Sequence, residues 1–401
     1  MRVRVEKTRL EYPEWSRIPV TLQHRFFELA RKEAERVRVR LLHDGERLRQ
    51  LQSKLRFQYG KTTRTWLNWR VAAVDGSDSP VLSERVGARY GTYAAGYMIF
   101  HQGRIIDEDY QAGSLSRDQL GNPEVTVKAL RLLTTRLERK IALKCLEEKD
   151  VDLILLDGSF FGFRAGCNII RRKRLEIDGY RKISDLIDEV RDLTLQVLES
   201  RRAVGVVKRV RTSAIDGWIA YREGVARCLH RNDRAILTYL MPEGRWFDYG
   251  SLLEKPEEYQ YYTLLKGVMS RYGYTDPESA LKEARREFAQ GVKANLNMNP
   301  DPLLKIHRYF HRPYAAAPPF CFEMHRDMSV EELASYFAKE NCNPATGFPY
   351  PIDLIDENVT LPSMFAKEFV EEVEAILLSD PSLDKTDLFN WFTGINPQKE
   401  E

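Results

Sequence analysis

The chain has 401 residues, 43% hydrophobic and 30% charged, the make-up of a soluble globular protein with a sizeable core. Lys+Arg 62 against Asp+Glu 59 leaves a net charge of only +3, so any nucleic-acid surface has to be a local patch. The 5 cysteines are scattered with no C-x-x-C pair, which excludes a zinc ribbon and a disulfide framework.

No apolar run nears the roughly 18 residues of a membrane span. The start, from Met1 to Lys7, lacks the apolar core of a signal peptide, so a cytoplasmic protein is expected. From about Pro19 to Leu55 the spacing of Leu22, Phe26, Leu29, Ala30, Ala34 and Val37 predicts a long amphipathic helix, packed on the domain or on a partner chain.

The first core strand is expected from Trp69 to Val74. It delivers Asp75 into Asp75-Gly76-Ser77, where the glycine should end it. Two strands follow, Gly91 to Phe100 and Arg104 to Tyr110, joined as an antiparallel hairpin by a tight turn. Pro123 suits the first position of a helix running to about Lys149, with Glu138 placed to reach the same sheet edge or to pair with a nearby base. Leu153-Ile-Leu-Leu-Asp157-Gly158-Ser159 repeats the pattern of the first strand. Asp-Gly-Ser is ordinary turn chemistry, but two copies on matching strands bring two carboxylates to one rim, as sites for Mg²⁺ or Mn²⁺ require.

Phe160 and Phe161, then Arg164 and the run Arg171, Arg172, Lys173 and Arg174, combine rings with cations as a nucleic-acid strand would need. A helix from Ile183 to Ser200 leads to the strand Ala203 to Val207, which ends at Lys208, placed to neutralise a scissile phosphate or to orient the attacking water. This element order is that of an α/β, RNase H-like core: a mixed five-stranded sheet flanked by helices.

Beyond Val210 the pattern loosens. Ala235 to Leu240 reads as a strand, Glu257 to Tyr272 and Pro277 to Leu296 as helices, and Leu303 to Phe310 as another strand. His307 and His311, four apart, could share a metal on a helix but on a strand would only share a face, and no Glu stands between them as in H-E-x-x-H. Phe320 to His325 is a late strand whose Glu323, in an apolar setting, wants a partner or a cation. Ser329 opens a short helix, and Pro362 to Leu378 is the last clear one. The implied division is an N-terminal helical extension (1–64), a nuclease-like domain (65–360, with an insertion at about 210–319) and a C-terminal helix and tail (361–401).

Val-Ala-Ala-Val-Asp75-Gly-Ser, Leu-Ile-Leu-Leu-Asp157-Gly-Ser-Phe, Gly205-Val-Val-Lys208 and the late Gly347-Phe-Pro-Tyr-Pro-Ile occur in an order that resembles the NurA nucleases. The resemblance spans roughly residues 65 to 360. It implies an RNase H-like fold, Mn²⁺-dependent cleavage of DNA (Mg²⁺ being the alternative cation), a homodimer, and work with the hexameric HerA ATPase in resecting DNA ends for repair. By position it makes Asp75 and Asp157 metal ligands, Glu138 the helix glutamate (Glu147 the fallback) and Lys208 the lysine after the fifth strand. In the late motif the family commonly has a tyrosine, followed eight residues on by a histidine. Here Phe348 and Asp356 stand there, and Asp356 as a ligand would favour a harder cation.

The expected activity is therefore metal-dependent hydrolysis of DNA by Asp75, Asp157 and Glu138, with Lys208 balancing charge and Asp356 as a further ligand. A non-catalytic DNA-end clamp of the same fold is the reading from a different class, and an RNase H-like enzyme on hybrids or branched DNA is the enzymatic rival.

Overall fold

A computed structural model describes residues 18–60, 65–119, 121–177 and 180–395. The chain divides into two compact units, Met1–Lys54 and Leu55–Glu401. The first is built on α1 (Val20–Gln52), a 33-residue helix. Its apolar stripe is real, but Val20, Leu22, Phe26, Phe27 and Leu29 are all exposed on it. None of the helices among the described residues is long and apolar enough to cross a membrane.

The second unit is organised on one mixed sheet of 10 strands. Its core is β1 (Arg70–Asp78), β2 (Arg89–His101), β3 (Arg104–Arg117), β4 (Leu153–Asp157) and β5 (Ala203–Val207). β1 pairs antiparallel with β2 and parallel with β4, β4 pairs parallel with β5, and β3 flanks β2. Val, Ala, Ile and Leu fill β1, β4 and β5 without alternation because helices cover both faces. This is the RNase H-like arrangement that the element order predicts.

α2 (Pro123–Glu148) begins where Pro123 suggests, with Asn122 accepting the Glu124 N–H. It packs against β1 and β2, and α3 (Ile183–Glu199) packs beside it. The opposite face of β1 carries α9 (Tyr350–Val359): Ala73 and Met98 pack with Ile355 and Val359 of that helix.

The sheet continues past β5 through three antiparallel strands, so it is larger than the five predicted. These are β8 (Phe320–His325), β7 (Ile306–Arg312) and β6 (Arg245–Asp248). Two-residue strands finish it: Gln58–Tyr59 beside β6 and Ser83–Glu84 beside β2. Along the chain, α4 (Ala214–Glu223) and α5 (Asp233–Leu240) come between β5 and β6, and α6 (Tyr259–Tyr272) and α7 (Pro277–Leu296) between β6 and β7.

Several local expectations need correction. Residues 235–240 are helical, because Asn232 caps the Ala235 N–H and Ile236, Leu237 and Leu240 form one buried face. β7 starts at Ile306 and not at Leu303, since Pro302 opens a helical turn first. α8 (Val330–Tyr336) is capped by Ser329 as read. After α10 (Phe365–Leu378) a further helix, α11 (Lys385–Phe392), is capped by Asp384.

Candidate metal centre

β1 and β4 place their aspartates by register. Val74 and Leu156 form the last paired rung, and Asp75 and Asp157 stand one residue beyond it. Alternation along β1 sends Ala73 and Asp75 to the α9 face and Gly76 to the α2 face. On α9, Ile352, Ile355 and Val359 bury against the sheet and leave Asp356 at the edge of that stripe. The result is a trio: one carboxylate oxygen from each of Asp75, Asp157 and Asp356 lies within 4.8 Å of the others.

Lys208, just past β5, closes the group. Its Nζ lies 2.8 Å from Asp157 Oδ2 and 2.8 Å from Asp356 Oδ2. Burial alone would lower its pKa, but Asp157 and Asp356 outweigh it and hold the ammonium charged. Burial, and then the charges of Asp157 and Glu138, push the Asp75 carboxyl well above the usual range, against the Gly76 N–H that donates to its Oδ1 (2.7 Å) and against Lys208. Asp157 is raised as well, by burial, with Lys208 opposing. Carboxylates crowded and desolvated in this way call for a cation.

The donor set fits a hard divalent ion, since every ligand atom offered is a carboxylate oxygen. Asp356 is half exposed on its side chain, at 50%, so the site is open on the α9 side.

Glu138 stands outside the trio, on the α2 side of β1. A Cβ added to Gly76 would lie 2.9 Å from its Oε1 and 2.8 Å from Thr134 Cγ2, so only glycine lets α2 approach this closely. Burial pushes the Glu138 carboxyl up to about 7; the neighbouring Arg139, paired at 3.3 Å, opposes the shift, and Asp157 and Asp78 add to it.

The remaining candidates fall into separate places. Phe160 is fully enclosed at 0% exposure, so its ring is not a platform for a base, and Phe161 is nearly as buried. Arg171 turns inward to Asp188 and to the Asn295 carbonyl, while Arg172, Lys173 and Arg174 are exposed. Glu323 is not a ligand: its Oε2 accepts from Ser159 Oγ (2.7 Å) and the Phe160 N–H (3.0 Å), and Arg308 pairs with its other oxygen. Arg308 sits directly across from it in the β7–β8 register. Glu323 thereby fastens the turn that follows Asp157. Phe348 packs against the core cluster of Phe320 and Phe337, anchoring the loop that leads into α9. His311 is buried on the strand face it shares with His307, and burial lowers its pKa to about 4.

Beside this centre runs a cleft of about 830 Å³ between α2, α6 and the sheet rim. It reaches Asp157 and is lined by Arg139, Arg164, Arg209, Arg211 and Arg308, none of which but Arg164 stood out in the sequence.

The family model that matches the chain is that of the NurA domain, over residues 70–361. Among solved structures, the NurA nuclease from Sulfolobus solfataricus is similar at 15% identity and a TM-score of 0.51, covering 88% of this chain and 98% of that one. NurA bound to dAMP and manganese aligns at 13% identity and a TM-score of 0.38, over 91% and 98% of the two chains. Endonuclease V from Ciona intestinalis, in complex with a 24mer DNA containing an inosine, aligns at 12% identity and a TM-score of 0.30, over 83% and 98%. No curated protein matches the sequence.

Proposed function

The chain belongs to the NurA family, and from that premise we propose that it is a metal-dependent deoxyribonuclease that hydrolyses phosphodiester bonds at DNA ends and within single strands. The reading places it in end resection for double-strand break repair, as a homodimer working with a HerA-type ATPase. One observation carries the chemistry: Asp75, Asp157 and Asp356, from two strands and a helix, converge on one point beside Lys208.

These three aspartates would hold Mn²⁺ or Mg²⁺, with Glu138 beside them. A bound divalent ion lowers the pKa of water and draws charge from a phosphate oxygen. The protein's own part is then positional and electrostatic. β1 and β4 fix Asp75 and Asp157 rigidly, and Glu323 holds the turn after Asp157 in place. The Lys208 ammonium, already facing the carboxylates, balances charge on the phosphate being cleaved. Arg164 and the exposed Arg172, Lys173 and Arg174 guide the strand through its backbone, so binding depends on salt and little on sequence.

Digestion of end-labelled single- and double-stranded DNA, with Mn²⁺, Mg²⁺ or EDTA, tests this reading. Degradation in Mn²⁺ that EDTA and Asp75→Ala both abolish is expected. DNA binding without cleavage in either metal, unchanged by Asp75→Ala, would replace the nuclease with a DNA-end clamp of the same fold.

A further inference from the structure

The floor of the cleft beside Asp157 holds more cation than it can pair. Arg139 is 2% exposed, and its Nε has no hydrogen-bond partner. Arg308 is also deeply placed, and its Nε is likewise without a partner, although its other nitrogens reach Glu323 and Thr212 Oγ1. Arg164 shares one Gln260 oxygen between two nitrogens at 3.3 Å and otherwise lies over the Phe288 ring. Two carboxylates face the three guanidinium groups: Glu138 pairs with Arg139 at 3.3 Å and Glu323 pairs with Arg308, which leaves Arg164 with no carboxylate of its own among the described residues.

Burying guanidinium N–H groups without acceptors is costly, the more so because they carry charge, so such a floor is built for an anion. At the mouth, Arg209 and Arg211 line the same cleft, and neither side chain has a hydrogen bond or ion pair among the described residues. The cations therefore run from the outside to the floor, and the cleft meets the metal centre at Asp157.

We propose that this cleft is a phosphate subsite for the DNA strand, in which Arg139, Arg164 and Arg308 hold a backbone phosphate next to the cleaved bond and Arg209 and Arg211 lead the strand in. The proposal rests on the nuclease reading and adds to it the path of the strand. Guanidinium groups suit that task because their planar donors pair with phosphate oxygens two at a time. The exposed run at 172–174 lies outside the cleft lining and serves at most the outer strand.

The test is binding of a fluorescein-labelled single strand to the full chain in EDTA, across a salt series, with cleavage in Mn²⁺ measured separately. Arg209→Ala and Arg211→Ala change exposed side chains, and each should weaken binding several-fold and lower the salt slope by about 0.7. Arg164→Gln should weaken binding about ten-fold, and Arg164→Lys should recover part of the loss. Arg104→Ala, an equal loss of charge at the opposite rim of the sheet, should bind as the wild type does. Wild-type affinity and slope in Arg164→Gln, Arg209→Ala and Arg211→Ala would overturn the subsite even if Mn²⁺ cleavage is intact. Tight binding of dTMP with no binding of the strand would overturn its assignment to DNA in favour of a free nucleotide. Failure of the nuclease reading shows elsewhere, as wild-type protein that does not cleave.

Discussion

The two Asp-Gly-Ser segments have the same three residues and play different structural parts. After Asp157 the strand stops: Gly158 takes a φ of +101°, and its N–H donates to the Val206 carbonyl on the neighbouring strand. After Asp75 the strand goes on through Gly76 and Ser77 to Asp78, paired with β2 throughout. The first glycine is there to admit α2; the second is there to turn the chain. The serines differ too. Ser77 Oγ accepts the Leu361 N–H (3.1 Å), whereas Ser159 Oγ donates to the Glu323 carboxylate (2.7 Å). Only the aspartates do the same thing: both stand one residue past the last paired rung, in one carboxylate cluster with Asp356.

The largest effects are expected at the shared aspartates. Asp75→Asn and Asp157→Asn should each reduce cleavage by about a thousand-fold or more, a loss of over 4 kcal/mol of barrier lowering. Without metal, Asp75→Asn should raise the melting temperature at pH 8, because it removes a buried charge that Asp157 and Glu138 repel. A lower melting temperature would mean that the crowding of these carboxylates is not what the protein endures for its site.

At the glycines the expected costs differ in kind. Gly76→Ala forces a methyl against Thr134, Glu138 and the Ala94 carbonyl, all at 3.0 Å or less, and should cost about 2–3 kcal/mol in denaturant unfolding. Gly158→Ala meets nothing within 4 Å and pays only for its backbone angle, about 1–2 kcal/mol. Equal costs would erase the distinction between admitting a helix and turning a chain.

Glu138 gives the contrast a pH dependence. Its folded pKa of about 7 lies above the ordinary carboxyl value, so its stabilising share is complete below about pH 4.5 and is lost as pH rises through 7. The melting temperature of metal-free Glu138→Gln should therefore exceed that of wild type by a margin that widens from pH 5 to pH 8. His311 works in the opposite sense, losing stability as pH falls from about 6.5 toward 4, and it is common to both proteins. The smallest effect is expected at the serines: Ser159→Ala should cost about 1–2 kcal/mol for a bond to a buried carboxylate, and Ser77→Ala under about 1 kcal/mol.

Much of this was legible in the sequence because the core strands are unbroken apolar runs, and such runs carry their own endings. Asp75, Asp157 and Lys208 follow from that pattern, and Asp356 from its place in the late motif. Residues 235–240 misled because Ile-Leu-Thr-Tyr-Leu has strand-like composition, while the deciding signal is the Asn232 cap before it. Glu323 in its apolar run wants a partner, but nothing local names Arg308, which reaches it across the β7–β8 pairing. Arg139 hides for a similar reason. On a helix surface it reads as one base among many, and only the packing of α2 on β1 buries it. Clefts are made by contacts between distant segments, so their lining has no sequence period to read.

Both Asp-Gly-Ser strands and α9 bring carboxylates to one place, where they are expected to form one metal centre. Titration of the purified protein with Mn²⁺, followed by electron paramagnetic resonance at pH 7.5, tests it most directly. Saturable binding that Asp75→Asn, Asp157→Asn and Asp356→Asn each weaken by at least ten-fold, with Arg104→Ala unchanged, is the predicted result. Binding that survives Asp75→Asn and Asp157→Asn at wild-type affinity would place the metal elsewhere.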